Sequence, residues 1–280
     1  FQEPIRQVME KPYAGLDDLT WSCFTRADEV GGRLEPYLHR LHSVCHSKAI
    51  GLDILGYADD TLKYPVVSVI LNDRPHVSRT VLFNAGVHGT EIAGPWASLR
   101  FLEEYDPSRW PDLRVLMFPI ANPSGFDRGI HRYNLRGVDL NRSFDSDPLE
   151  RECALLLGCL NGKDISFMHS IHEDYEEGME CFYVYCDSPD SLPFCRTLVD
   201  VASRYYPIHR ADVIEKEKAD NGVILFNPVP RILGTFERRM LNEGCKYIVC
   251  TETPQITALP RRVELDVVLM EAVMDYCSSL

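Results

Sequence analysis

The stretch Val81–Glu91 reads VLFNAGVHGTE: an apolar β-like run, a glycine-containing turn and the beginning of a helix. The helix-like segment Ile92–Glu104 follows at once. His88 and Glu91 lie in the turn, three residues apart, so an imidazole nitrogen and a carboxylate oxygen can bind the same ion. Gly89 between them lets the backbone bend tightly. An H-x-x-E pair also occurs often by chance, so alone it only suggests a metal site.

Strand and helix patterns alternate along the rest of the chain in the same way. Other β-like runs are Val66–Leu71, Val115–Ile120, Ile165–Ile171, Cys181–Tyr185 and Tyr247–Cys250. Other helix-like segments are Leu149–Leu160, Leu192–Tyr205, Phe236–Asn242 and Val263–Tyr276. This alternation predicts an α/β fold around a largely buried, mixed or parallel sheet. Functional residues should then lie on loops at the carboxyl ends of the strands.

The length of 280 residues fits a single catalytic domain over residues 1–280. Residues 1–60 are less regular and are predicted to form a small N-terminal layer packed on that domain. His39, His42 and His46 would share a helix face there. No carboxylate or cysteine completes a metal-binding set with them, so surface histidines are the simpler interpretation.

Composition excludes several classes of function. A net charge of −13 and a pI near 5.1 argue against a nucleic-acid surface, which needs lysine and arginine against phosphates. No apolar run approaches the ~20 residues that cross a bilayer, so no membrane span is expected. The ten cysteines contain no C-x-x-C pair, and we predict buried free thiols. That usage favours a cytoplasmic protein.

The second stretch with chemical potential is Ile165–Asp174, ISFMHSIHED. His172 comes at the end of a predicted strand, where a metal ligand should lie, whereas His169 lies within the strand. Because the two are three residues apart, they point to opposite faces of the sheet. His169 is therefore predicted to be structural. Two histidines and one glutamate would leave the fourth position of a tetrahedral zinc open to water.

Two further stretches carry polar residues after predicted strands. The segment Asn122–Phe144 contains Arg132, Asn134, Arg136, Asp139, Asn141 and Arg142. Adjacent asparagine and arginine suit a terminal carboxylate, and another arginine can polarise a carbonyl, although a solvated basic loop is an alternative. The segment Tyr247–Pro254, YIVCTETP, ends a β-like run in Glu252. This glutamate could move a proton between water and a leaving amine, or could simply be satisfied at the sheet edge.

Together these stretches resemble the zinc carboxypeptidase (metallocarboxypeptidase) family. Between Pro65 and Pro254 the order is H-x-x-E, N-P-x-G-[FY], R-x-N-x-x-G-x-D-x-N-R, a strand ending in histidine and a strand ending in glutamate. The segment HEDYEEGMECFYVY is most similar to a bacterial branch with an H-E-D motif. The resemblance implies an α/β fold with a mixed, mostly parallel eight-stranded sheet flanked by helices.

The resemblance also implies roles for individual residues. One Zn²⁺ per chain would be held by His88, Glu91 and His172, and the reaction would remove the C-terminal residue of a peptide, a cell-wall peptide being one candidate. A water activated by the zinc would attack the carbonyl, with Glu252 as general base and acid. Arg132 would polarise the carbonyl, and Asp139 would orient the first histidine. Asn141 and Arg142 would bind the C-terminal carboxylate of the substrate.

Two features depart from the family pattern. The substrate-covering loop of digestive members has a tyrosine, but Asn221–Glu237 contains none, so Phe226 or Phe236 is a candidate cover. Glu237 and Arg238 would select a charged group on the substrate if they face the pocket, or else begin a surface helix.

Other functions share parts of this pattern. A zinc-dependent deacylase resembling aspartoacylase or succinylglutamate desuccinylase shares H-x-x-E, D-x-N-R and the later histidine and glutamate. The segments N-P-S-G-F and R-x-N-x-x-G favour the peptidase. A binding module without activity is disfavoured, because every predicted ligand and Glu252 are present.

Overall fold

The computed structural model describes residues 33–75, 77, 79–129, 131–174, 180–229 and 232–280. Its strands form one ten-stranded sheet in the order β1-β2-β4-β3-β5-β10-β6-β9-β8-β7. The strands are β1 Gly51–Tyr57, β2 Pro65–Leu71, β3 Arg79–Ala85, β4 Leu113–Phe118, β5 Phe167–Asp174, β6 Tyr183–Cys186, β7 Val213–Ile214, β8 Glu217–Asp220, β9 Val223–Ile224 and β10 Tyr247–Pro254.

The predicted mixed sheet flanked by helices is confirmed, with more strands than the eight expected. The neighbours β4, β3, β5 and β10 are all parallel, and they form the centre of the sheet. Antiparallel pairs join β1, β2 and β4 on one side and β10 and β6 on the other. The additional strands β7 and β9 have only two residues each, too short to give a period-2 pattern.

Helices cover both faces of the sheet. They are α1 Leu34–Ser47, α2 Ala93–Glu104, α3 Pro123–Arg128, α4 Arg151–Leu160, α5 Leu192–Ala202, α6 Phe236–Asn242 and α7 Leu259–Ser279. Helix α7 begins four residues before the predicted start at Val263, because Pro260 lies in its first turn, where no intrahelical N–H bond is lost. No helix among the described residues is long and apolar enough to span a membrane.

Two apolar cores lie on opposite faces of the sheet, as alternation along a strand requires. In β3, Val81 and Phe83 face the core formed with α1, α2, α5 and α7. Leu82 between them faces the core formed with α4 and α6. Because β3 is buried on both faces, it reads as a continuous apolar run.

The described part of the N-terminal region packs directly on this frame. Residues 1–32 lie outside the described residues, so the predicted N-terminal layer is seen only from residue 33. Tyr37 of α1 packs edge-on against Trp96 and Phe126 and donates a hydrogen bond to Pro95 O at 2.9 Å. Strand β1 forms an edge of the main sheet. The rings of His42 and His46 stack 6.1 Å apart on α1.

The nine cysteines among the described residues are free thiols, and seven of them are buried. Burial raises the pKa of Cys45 and of Cys245 to about 12, so these thiols stay protonated at neutral pH. The cytoplasmic location that cysteine usage favours stays a prediction.

Candidate metal centre

Two neighbouring parallel strands deliver the predicted ligands to one edge of the sheet. His88 and Glu91 follow the end of β3, and His172 lies near the end of β5. His88 Nδ1 is 2.5 Å from Glu91 Oε1, and His172 Nδ1 is 2.9 Å from Glu91 Oε2. All three residues are buried, and their ligand atoms lie within 4.8 Å of one another. The structure thus brings together the residues that the sequence predicts as ligands.

The donor set fits a divalent metal. Glu91 Oε2 is buried without a hydrogen-bond partner, although His172 Nδ1 lies only 2.9 Å away. Burial opposes ionisation of Glu91, but His88 and His172 hold its pKa well below the ordinary range. Burial also lowers the pKa of His172, but Glu91 and other carboxylates raise it well above the ordinary range. A site that favours positive charge and offers two imidazoles and a carboxylate suits zinc.

Glycine permits the close packing that sets the H-x-x-E turn. A Cβ on Gly89 would lie 2.4 Å from the backbone of Gly125 in helix α3. A larger residue at position 89 would therefore prevent the H-x-x-E turn from packing this closely against α3. Asn122 stabilises this contact: its Oδ1 accepts from Gly125 N and its Nδ2 donates to Val87 O. The N-P-S-G motif therefore shapes the turn that carries His88.

Asp139 lies behind the first histidine. Its Oδ1 is 3.2 Å from His88 Nε2, and its Oδ2 accepts from Arg132 Nε at 2.9 Å. A carboxylate at Nε2 fixes the tautomer that leaves Nδ1 free to bind a metal. Arg132 Nη1 is also 3.6 Å from Glu91 Oε1, so this guanidinium lies beside the candidate ligands and lines the cavity.

Asn141 and Arg142 differ in how free they are for a substrate. Asn141 is buried; its Oδ1 accepts from Phe236 N at 2.9 Å, and its Nδ2 is 3.4 Å from Glu237 Oε2. Arg142 is exposed, lines the cavity and donates from Nη1 to Asn141 O at 2.6 Å. Arg142 is thus the better placed of the two to bind a carboxylate.

Glu252 lies beside the second histidine. In the parallel register of β5 and β10 it is paired with His172, so both side chains lie on the same face of the sheet. Burial raises the pKa of Glu252 well above the ordinary range, and although His172 and Arg132 lower it, Glu91 and Asp174 raise it further. A carboxylate with a raised pKa can both accept and return a proton near neutral pH.

Neighbouring acidic and histidine side chains are otherwise engaged. His169 Nε2 is 2.9 Å from Thr251 Oγ1 in the core, and burial lowers the pKa of His169 to about 3. Glu173 is paired with Arg262 and accepts from Ala93 N at 2.9 Å. These contacts agree with a structural role for His169 and leave Glu173 poorly placed to act as a base.

A cavity of about 380 Å³ opens over the site. Its lining includes two tyrosines that the sequence analysis did not single out, Tyr183 and Tyr185 of β6. Their i, i+2 spacing in CFYVYC places both on one face of the strand, a signal available in the sequence. Of the two phenylalanines considered as covers, only Phe226 lines the cavity, because Phe236 stacks on Phe144 in the core at 4.3 Å.

Glu237 and Arg238 both line this cavity. Glu237 is 4% exposed, so it does not begin a surface helix. Arg238 is half-buried and donates to Pro228 O at 2.8 Å. Nine acidic and three arginine side chains contribute to the lining, which makes the cavity acidic.

The fold and the site define a class of protein. A parallel sheet centre whose carboxyl ends present H-x-x-E, histidine and glutamate beside one cavity is typical of metal-dependent hydrolases. Comparisons with known proteins agree. Residues 77–158 match the family model of the succinylglutamate desuccinylase/aspartoacylase catalytic domain.

Relatives of known sequence or structure extend the match. Cytosolic carboxypeptidase 2 of Danio rerio is 29% identical over 152 residues, which span 50% of this chain but only 20% of that protein. A candidate metallopeptidase from Shewanella amazonensis superposes with a TM-score of 0.76 at 26% identity, covering 87% of this chain and 93% of the other. A metallo-carboxypeptidase from Burkholderia cenocepacia has the same fold, with a TM-score of 0.68 at 15% identity over 88% and 69% of the two chains.

These findings confirm the family-level resemblance to the metallocarboxypeptidases. They support a hydrolase of that superfamily, and the relationship implies a metal at the His/Glu site.

Proposed function

We propose that the chain is a zinc-dependent metallocarboxypeptidase that removes a C-terminal residue from a peptide. The observation that carries this proposal is the convergence of His88, His172 and Glu91, with Glu252 paired to His172 in the same cavity. A bound zinc lowers the pKa of water and polarises a carbonyl. His88, Glu91 and His172 would hold it.

The side chains of the chain would perform the remaining steps. Glu252 accepts a proton from water and returns it to the leaving amine. Arg132 lies beside the ligands and stabilises negative charge that develops on the carbonyl oxygen. Arg142 binds the α-carboxylate. Asn141 contributes the side-chain N–H that is not used in its hydrogen bond to Glu237. Peptides are thus the proposed substrates, a cell-wall peptide among them.

One observation favours a second candidate, a zinc-dependent deacylase acting on an N-acyl amino acid. The matching family model is that of desuccinylase and aspartoacylase catalytic domains, and the matched residues 77–158 contain His88, Glu91, Asp139 and Arg142. Both candidates use the same metal site. They differ in whether the acyl side of the scissile bond is a peptide or a small acid.

One assay distinguishes the carboxypeptidase from the deacylase. Zinc-loaded protein is incubated with a peptide panel varied at the C-terminal residue, the same peptides amidated, and N-succinyl and N-acetyl amino acids. A carboxypeptidase releases the last residue of the free-acid peptides only. Cleavage of acyl amino acids without peptides would establish the deacylase instead, and equal cleavage of acid and amide would refute both exo-acting functions.

Arg142→Ala should damage free-acid substrates selectively. Loss of a charge-assisted contact costs about 1.5–3 kcal/mol, or ~10- to 150-fold in kcat/KM. Amidated peptides, cleaved poorly by the wild type, should be nearly unaffected. The matched control is Arg136→Ala in the same loop, because the Arg136 side chain is 70% exposed and lies 3.8 Å from Glu150. A selective loss of free-acid cleavage in the Arg136 variant would show that Arg136, and not Arg142, binds the carboxylate.

The acidic limb of the pH profile should lie above the ordinary glutamate range, for which the pKa is ~4.3. Burial is the main cause of the raised pKa of Glu252. A general base acts only when deprotonated, so kcat/KM should fall as the pH drops through that raised pKa. The profile is measured alongside thermal unfolding at each pH, to separate titration from denaturation. A limb at or below ~4.3 would contradict a raised pKa for Glu252 in the active enzyme.

A further inference from the structure

The two candidate histidine ligands have matching surroundings. Each turns Nδ1 towards the Glu91 carboxylate. Each turns Nε2 towards another carboxylate, that of Asp139 at 3.2 Å for His88 and that of Glu237 at 3.7 Å for His172. The family resemblance implies a role for Asp139 but leaves that of Glu237 open.

Glu237 has few other partners. It is 4% exposed, and its Oε1 makes no hydrogen bond among the described residues, as is also true of His172 Nε2. Two buried polar atoms that face each other at 3.7 Å are costly unless they come into contact. A small rotation of either side chain would give an N–H···O hydrogen bond within the usual range.

Asn141 links the two carboxylates. Its backbone N–H donates to Asp139 Oδ1 at 3.0 Å, and its side-chain Nδ2 is 3.4 Å from Glu237 Oε2. Its Oδ1 accepts from Phe236 N, which fixes the first turn of α6, where Glu237 lies. One buried residue thus sets the positions of both acids relative to the metal site.

We propose that Glu237 is a positioning residue for metal binding: it accepts a hydrogen bond from His172 Nε2–H and so holds the tautomer whose Nδ1 binds the metal. The inference rests on the metal site of the proposed function. Glu237 also raises the negative charge behind His172, which strengthens the imidazole as a ligand. It would act through the histidine and not on the substrate.

The test compares two acids of one cavity. Glu237→Gln and Asp187→Asn each replace one carboxyl group of the cavity lining by an amide, but Asp187 forms no ion pair with either histidine in the described part of the chain. Zinc affinity is measured by chelator competition, without substrate. Glu237→Gln and Asp139→Asn should each weaken zinc binding ~10- to 100-fold, and Asp187→Asn should change it less than threefold.

Three results would overturn the proposal. Zinc affinity of Glu237→Gln within threefold of wild type is the first. The second is an unchanged affinity with an altered preference among peptides ending in cationic, neutral and acidic residues, which would make Glu237 a specificity residue. The third is two zinc ions per chain, one lost in Cys250→Ala, since His172, Glu237 and Cys250 also lie within reach of a common ion.

The proposed function and this inference fail in different ways. A wild-type protein that binds no zinc contradicts the metal site itself, whereas normal zinc binding by both wild type and variant contradicts only the role of Glu237. If Glu237→Gln does not fold, Glu237→Asp decides, because it keeps the charge but withdraws it by one methylene. It should weaken zinc binding about tenfold, and an affinity within threefold of wild type refutes the proposal.

Discussion

Glu252→Gln should leave fold and metal content intact while kcat falls ~10²- to 10⁴-fold, about 3–5 kcal/mol in activation free energy. Glutamine has nearly the same shape and still forms hydrogen bonds, but it cannot accept the proton. Glu252 is paired with His172 on the neighbouring strand and lines the cavity, so its carboxylate shares the cavity with the candidate metal ligands. Turnover is measured at saturating zinc, with metal content determined on the same sample.

The comparison variant is Asp174→Asn. Asp174 lines the same cavity near the end of β5 and accepts a hydrogen bond from Tyr183 Oη at 2.6 Å. It is another acid at this strand end that lines the cavity, whereas the neighbouring Glu173 is paired with Arg262. A Glu252→Gln enzyme within tenfold of wild type, together with a large loss in Asp174→Asn, would show that Asp174 is the base.

The centre of the fold was predictable from the sequence because its strands are apolar and bounded by turns. Strand β10 shows where that signal stops. The sequence pattern ends it at Cys250, but the strand continues to Pro254. Thr251 and Thr253 are buried there because they find partners, His169 at 2.9 Å and Asp266 at 2.7 Å. Such partners are distant in sequence, so an apolar pattern cannot reveal them.

The metal ligands were predictable because their chemistry is local: a turn with H-x-x-E and a strand that ends in histidine. The surroundings of the ligands were not. Glu237 is 65 residues after His172 in the chain, and only the packing of α6 against the end of β5 brings it to 3.7 Å from the ring. For the same reason Asn141, expected at the substrate, uses most of its amide inside the protein.

The cavity lining shows a third kind of limit. The family resemblance implies a tyrosine in the stretch Asn221–Glu237, which contains none. The structure instead places Tyr183 and Tyr185 in the cavity from β6. Burial raises the pKa of both phenols far above the ordinary range, so they stay protonated near neutral pH. The phenols that line this cavity therefore come from strand β6 and not from the stretch that the family resemblance indicates.

His172→Ala should abolish stoichiometric zinc binding and activity, whereas His169→Ala should keep both. The two histidines lie three residues apart on β5 but on opposite faces of the sheet. The same substitution at each position therefore tests which face of β5 carries the metal. Removing one of three protein ligands should raise the zinc Kd at least ~1000-fold, about 4 kcal/mol. His169→Ala loses its hydrogen bond to Thr251 and leaves a void, so it should lower the melting temperature while retaining one zinc. Metal analysis after dialysis and thermal unfolding of both variants give the answer. Full zinc content in His172→Ala, or its loss in a folded His169→Ala, would mean that the opposite face of β5 carries the metal.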